Sequence, residues 1–219
     1  MTLVTLAGPS AWAKKKTKPT TTKVSAKALP GKEVSTALNS YRVAGSIQAK
    51  VKKTVVQEAL GTETKSEGNF YFSKGKLRLE ILEPEHSLLV FDGKVVWFET
   101  PIDETRVHVT KMRANELKKA DSLLTALFDR KDILKTFKLK GDKAQDTGGR
   151  AYTFEPKDKK KSEVKMLEIA IKDKDIQRIT YLDLVDNRVT LEFTDMTKGS
   201  VPAEKFIYKV PKKADLVEM

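Results

Sequence analysis

The sequence predicts a mainly β (α+β) fold, a strongly curved antiparallel sheet that holds a few amphipathic helices in its concave side. Three observations predict it. Short segments of alternating apolar and polar residues recur along most of the chain. Turn-like sequences join them, which favours antiparallel neighbours. Two stretches instead carry apolar residues at helical spacing, and their apolar faces must cover the apolar face of the sheet.

The first thirteen residues, MTLVTLAGPSAWA, are small and apolar and end in an A-x-A pattern at Ala11-Trp12-Ala13. Residues 1–13 are therefore expected to be part of a signal peptide whose basic start lies upstream. Residues 14–30 are rich in Lys, Thr, Ala and Pro and are expected to form a flexible basic leader. Residues 31–219 are expected to form a single domain. No later segment has the run of about 20 apolar residues that a membrane-spanning helix needs.

From Lys32 to Tyr41, Val34, Ala37, Leu38 and Tyr41 share one helix face. The period then changes. In SIQAKVKKTVVQ, Ile47, Ala49 and Val51 alternate with Gln48, Lys50 and Lys52, the pattern of a half-buried strand. GNFYFS and KLRLEIL follow, the latter with Leu77, Leu79 and Ile81 on one side and Arg78 and Glu80 on the other. LLVFDGKVVWFE is two apolar runs about Asp92-Gly93, a strong hairpin signal. RVHVTKM alternates again. In ADSLLTALFDRKDILKTF, Leu123, Leu124, Leu127, Phe128, Ile133, Leu134 and Phe137 return to helical spacing, with Asp121 or Ser122 as the cap. After Asp146-Thr147-Gly148-Gly149 five further strands are predicted: AYTFEP, VKMLEIAIK, IQRITYLDL, RVTLEFTDM and KFIYKVP. KDKKK and VDNRV read as exposed turns between them.

Composition narrows the function. The chain has 219 residues, 39% hydrophobic and 33% charged, enough for a globular core. It has no cysteine, so thiol catalysis, thiolate metal sites and the lipid attachment of a membrane-anchored lipoprotein are not expected of these residues. The formal net charge is +12, yet only eight of the 42 basic residues are arginine and the other 34 are lysine. Arginine is the better group for bidentate phosphate and base recognition, so a nucleic-acid partner is not expected. His86 sits in a turn beside Pro84 and Glu85, and His108 lies on a strand face with no serine or carboxylate pattern near it in sequence. Asp183, Asp186 and Asp195 have no metal-site spacing. No catalytic residue, metal or cofactor is expected, and the chain does not read as an enzyme.

The stretch FYFSKGKLRLEILEPEHSLLVFDGKVVWFETP resembles the core signature of LolA proteins. Leu77, Leu79 and Ile81 stand at its apolar strand positions, Pro84 in its loop, Asp92-Gly93 at its turn and Trp97 just after. IQAKVKKTV is similar to the family's first strand and FIYKVPKKADLVE to its closing strand and tail. The order of elements agrees over roughly residues 33–217, while the specific motif covers about thirty. The family usually has Arg-Pro where this chain has Ser73-Lys74; there the arginine ties the strand to lid helices. Lys74 could reach the same carbonyls only as a flexible ammonium.

The resemblance implies an unclosed half-barrel of antiparallel strands, with an N-terminal helix and a helical lid insertion over the concave face. It implies a periplasmic carrier that binds the acyl chains of lipoproteins released from the inner membrane and delivers them to the outer membrane. A lipid- or lipoprotein-sensing regulator on the same fold is the alternative, and it is expected to need a further domain. The implied lipid-binding set is Ile47, Val51, Phe70, Phe72, Leu77, Leu79, Ile81 and Trp97 on the sheet, with Leu123, Leu127 and Phe128 on the lid. On the residues alone these positions also suit an ordinary core. Ser73 and Lys74 mark the lid-hook position. The implied partners are acylated lipoproteins, an ATP-driven inner-membrane transporter that releases them, and an outer-membrane lipoprotein receptor or the membrane itself. A monomer is expected.

Overall fold

The computed structural model describes residues 30–113 and 133–219. The expected signal segment and almost all of the leader therefore lie outside the described residues. So does most of the expected lid, including Leu123, Leu127 and Phe128.

Helix α1 (Pro30–Ala44) leads into six strands: β1 (Ser46–Gln57), β2 (Thr62–Ser73), β3 (Lys76–Glu83), β4 (Ser87–Phe91), β5 (Val95–Pro101) and β6 (Val107–Arg113). Among the described residues, helix α2 (Ile133–Thr136) precedes β7 (Phe137–Ala144), β8 (Arg150–Pro156), β9 (Val164–Lys172), β10 (Asp175–Asp183) and β11 (Asn187–Lys198). A 3-10 turn (Ala203–Phe206) and β12 (Ala214–Glu218) end the chain.

Among the described residues the strands form one curved sheet in the order β12-β6-β5-β4-β3-β2-β1-β11-β10-β9-β8-β7. Two antiparallel meanders, β1–β6 and β7–β11, are joined side by side through β1 and β11. The end strands β12 and β7 do not pair with each other, so the sheet is unclosed. β12 alone is parallel to its neighbour, β6. The chain after β11 must cross β1 to β6 to reach that place, since β11 lies beside β1 in the middle of the order and β12 at its end.

Turn chemistry sets the hairpins. Between β4 and β5 the Asp92 carboxylate accepts the N–H groups of Lys94 and Val95 at 2.8 Å each, and Gly93 takes φ +101°. This is the hairpin the Asp-Gly pair predicts. Between β2 and β3, Lys74 and Gly75 both have positive φ, 48° and 79°, as a two-residue turn of this hand requires.

Three local expectations are corrected. Phe137, predicted on a helix, starts β7 and pairs with Pro156. Strand β7 itself was not predicted: Phe137 and Leu139 alternate with Lys138 and Lys140 and pack against the core, but the alternation is short and the register shifts between Leu139 and Gly141. KFIYKVP is not a strand: it forms the 3-10 turn and an extended crossing, and the closing strand is ADLVE.

Helix α1 buries Val34, Ala37, Leu38 and Tyr41 against the sheet, the four residues its spacing selects. It lies on β1 and on β7 to β10. Two tyrosines fasten it. The Tyr152 hydroxyl donates to Glu33, and the Tyr41 hydroxyl accepts the Ile176 N–H at 2.5 Å. The Lys198 ammonium sits 5.3 Å from the centre of the Tyr41 ring. Burial raises the pKa of both hydroxyls, with Glu33 adding to the effect at Tyr152.

Candidate functional site

Strand register aligns the apolar side chains of the concave face in rows. One row runs Ile47, Phe72, Leu77, Phe91, Val96, Met112 across β1 to β6. The next runs Ala49, Phe70, Leu79, Leu89, Phe98 and ends on Thr110. A third row, Val51, Gly68, Ile81, Ser87, has a gap at Gly68. On the other meander Leu191, Ile179, Ile169 and Tyr152 form a matching row. Most of these residues belong to one buried cluster with α1, against which Phe98 packs partly buried.

Gly68 has a tight steric reason. A side chain there would drive into the carbonyl oxygen of Glu80, with the carbonyl carbon only 2.8 Å away. The β2–β3 register also shifts between Glu67 and Gly68. Such irregularities increase local twist. A second bulge lies opposite Ala49, where Asp195 takes φ +51° and the β1–β11 register shifts. It swings Met196 onto the concave cluster.

Of the expected sheet set, the structure brings Ile47, Val51, Phe70, Phe72, Leu77, Leu79 and Ile81 together, each no more than 6% exposed. Trp97 is not with them. It sits in the row Tyr71, Arg78, Val90, Trp97, Lys111, which faces the opposite way. Its partner there is Tyr208, stacked at 5.1 Å, with the Lys111 ammonium 5.5 Å from the indole centre. The two-residue period carried through VVWF from Val96 puts Trp97 on that face.

The expected hook position is also placed differently. Ser73 and Lys74 lie at the end of β2 and in its turn, and they bind the junction that follows α1. Ser73 Oγ is 2.7 Å from Ser46 Oγ and donates to the Gly45 carbonyl at 3.2 Å. The main-chain N–H of Lys74, not its ammonium, donates to the same carbonyl at 3.2 Å.

Sequence reading also missed residues. Leu89, Phe91, Val96 and Phe98 complete the concave wall and were readable by extending the KLRLEIL alternation through the Asp-Gly hairpin. Lys53 was missed too. It is half-buried on the concave side between Val51 and Val55, beside Leu191. The consecutive lysines 52 and 53 hid it, since only one of them can face outward.

The convex face over β2 to β6 is covered by the crossing segment 199–213. Val201 and Phe206 are buried in it, as are Leu88, Val90 and Val109 of the sheet beneath. Arg78 donates to Glu80 at 2.9 Å and to the Lys205 carbonyl at 3.4 Å, and Tyr208 donates to Glu99 at 2.5 Å. Burial raises the Glu80 pKa, but the hydrogen bond and charge of Arg78 outweigh it and hold the carboxyl below its ordinary value. The continuous apolar runs LLVF and VVWF were the signal for this cover, since strands buried on both faces lose their alternation.

Residues 43–209 match the family model described as outer membrane lipoprotein carrier protein LolA. The chain belongs to the LolA family. No curated protein matches the sequence. Among solved structures, this LolA-family chain is similar to a DUF1329 family protein from Desulfovibrio piger, at 12% identity and TM-score 0.46, over 82% of this chain and 96% of that one. It is similar to a LolA superfamily protein from Nitrosomonas europaea, at 11% identity and TM-score 0.43, over 81% and 97% of the two chains. A third is the lipoprotein LppX of Mycobacterium tuberculosis, at 12% identity and TM-score 0.39, over 80% and 100%. Among the described residues no cluster of His, Asp or Glu could hold a metal ion, and no helix is long and apolar enough to cross a membrane.

Proposed function

We propose that this LolA-family chain is a periplasmic carrier that binds lipoproteins by their acyl chains. It takes them as an ATP-driven transporter releases them from the inner membrane. It passes them to a receptor on the outer membrane, or to that membrane directly. The observation that carries this reading is the set of continuous apolar rows on the concave face of an unclosed sheet.

The physical demand is simple. Each methylene exposed to water costs about 0.8 kcal/mol, so an acyl chain of about sixteen carbons costs on the order of 12 kcal/mol. A carrier must offer apolar wall of that length and release it again, and needs no catalytic group. Helix α1 is fastened to β8 and β10 by its tyrosine contacts. The wall over β2 to β6, around Phe72, Leu77, Leu79, Leu89, Phe91 and Phe98, is therefore the part of the concave face assigned to cargo. The residues of the lid expectation, Leu123, Leu127 and Phe128, complete the proposed site.

Inner-membrane vesicles bearing the transporter and labelled lipoprotein are incubated with ATP and the purified chain. Soluble complexes of chain and lipoprotein are the expected outcome, with native mass spectrometry reading the bound lipopeptide. Binding of an acyl probe without any release of lipoprotein assigns the chain to sensing instead. Absence of both overturns the reading.

A further inference from the structure

Three of the most exposed apolar side chains of the described residues stand together at one rim of the sheet. Leu60 is 70% exposed at the β1–β2 turn, and Leu184 and Val185 are 55% and 69% exposed at the β10–β11 turn. The two turns are neighbours, because Gln57 of β1 pairs with both Thr62 and Asn187. The Arg188–Glu58 ion pair, at 3.8 Å, bridges them.

These tips are built. The Asp183 carboxylate accepts the N–H groups of Val185 and Asn187 at 2.9 and 2.8 Å, and the Asn187 side-chain amide at 2.9 Å. Asp186 holds the turn in the left-handed region at φ +65° and accepts Lys165 Nζ at 2.7 Å. With its polar groups so committed, the turn directs Leu184 and Val185 into solvent. At the other tip the Leu60 N–H donates to the Gln57 carbonyl at 3.0 Å.

The acidic groups beside the tips are engaged: Asp183 within its turn, Asp186 with Lys165, Glu58 with Arg188, Glu63 with Lys65 and Glu163 with a partner of its own, while Asp158 is 3.7 Å from Lys161. The β8–β9 loop adjoins the β10–β11 turn, since Val164 pairs with Asp183. Its Lys159 and Lys160 are exposed and make no ion pair among the described residues. The whole chain carries a formal +12.

We infer that this rim is a docking surface for an anionic lipid bilayer: Leu60, Leu184 and Val185 enter the interfacial layer while Lys159 and Lys160 meet the headgroup phosphates. Single apolar side chains on convex tips, flanked by lysines, suit an interface that yields around them. A stable protein partner needs about 800 Å² of matched surface, which three protruding side chains do not supply. The inference rests on the carrier reading only for a bilayer being the natural partner, and it stands apart from cargo binding.

The test is flotation of the full chain with vesicles of phosphatidylglycerol and phosphatidylethanolamine, against vesicles of phosphatidylcholine alone. The wild type is expected to float with the anionic vesicles only, and less as salt rises. Leu60→Ser with Leu184→Ser and Val185→Ser is expected to lower that partition at least about tenfold. Lys159→Glu with Lys160→Glu is expected to lower it several-fold. All five positions are exposed, so an unchanged melting midpoint shows that the variants fold. Binding of an acyl probe in solution, measured in parallel, is expected to survive in the triple variant; its absence in the wild type sinks the carrier reading and leaves the docking result standing. No flotation of the wild type, equal flotation with neutral vesicles, or equal flotation of the triple variant overturns the inference. So does a wild-type dimer that the triple variant loses, which assigns the tips to a second copy of the chain.

Discussion

The ring of Tyr208 stacks on the indole of Trp97 at 5.1 Å, on the face of the sheet opposite the apolar rows. The hydroxyl of the same tyrosine donates to Glu99, which is only 8% exposed. One side chain thus pins the crossing segment to β5 by an aromatic face and a charged acceptor together.

Tyr208→Phe keeps the stack and removes the donor. A buried carboxylate left without its hydrogen bond costs about 1–3 kcal/mol, and urea denaturation is expected to show a loss in that range. Acyl-probe binding is expected to be unchanged, because the contact is on the convex face. A fall in affinity at full stability places Trp97 and Tyr208 in the cargo site after all.

Two variants test the concave wall. Leu79 lies in the part assigned to cargo and is 6% exposed within the main cluster, so Leu79→Glu is expected to abolish acyl-probe binding as well as to cost stability. Phe98 packs against that cluster while staying partly exposed. Phe98→Ser is expected to fold and to weaken binding of a fluorescent fatty acid about tenfold or more. Equal binding by wild type and Phe98→Ser moves the cargo away from β5.

Gly68 leaves no space for a methyl group beside the Glu80 carbonyl. Gly68→Ala is expected to shift the β2–β3 pairing and to destabilise by about 1–3 kcal/mol, the range of overpacked sites. Thermal melting reads it. A melting point at the wild-type value shows that the bulge relaxes freely.

Restoring the family's Arg-Pro pair is expected to harm this chain. Lys74 has φ +48° and its N–H donates to Gly45. Proline fixes φ near −65° and has no N–H, so Ser73→Arg with Lys74→Pro is expected to destabilise by roughly 3 kcal/mol. Lys74→Gly relieves the left-handed strain and is expected to raise stability by up to about 1 kcal/mol. Denaturation midpoints moving in opposite directions for the two variants check the turn.

Acid should act through Glu80. Its folded pKa is depressed, so its stabilising contribution is full above the ordinary carboxylate value of about 4.3 and is lost as pH falls through the lower folded value. Glu80→Gln is expected to start from lower stability, since Arg78 loses its partner, and to lose less between pH 5 and pH 3 than the wild type does. Parallel slopes for the two proteins assign the acid sensitivity elsewhere.

The β1–β6 meander, helix α1 and one apolar face are legible before folding, because each is written in local periods. Val34, Ala37, Leu38 and Tyr41 repeat at the helical period, and Leu77, Leu79 and Ile81 at the strand period. The Asp92-Gly93 turn is equally local, since its carboxylate caps N–H groups two and three residues on. Which partner each face meets is set only when distant segments come together. Nothing near Trp97 in sequence announces Tyr208, 111 residues later, and the parallel pairing of β12 with β6 rests on a chain crossing that no local pattern encodes. Ser73 likewise gains its meaning from Ser46 and Gly45, brought beside it by the β1–β2 register. Periodicity fixes where a side chain points relative to its own strand, whereas its covering partner is chosen by which distant segment can bury apolar area and satisfy the polar groups there.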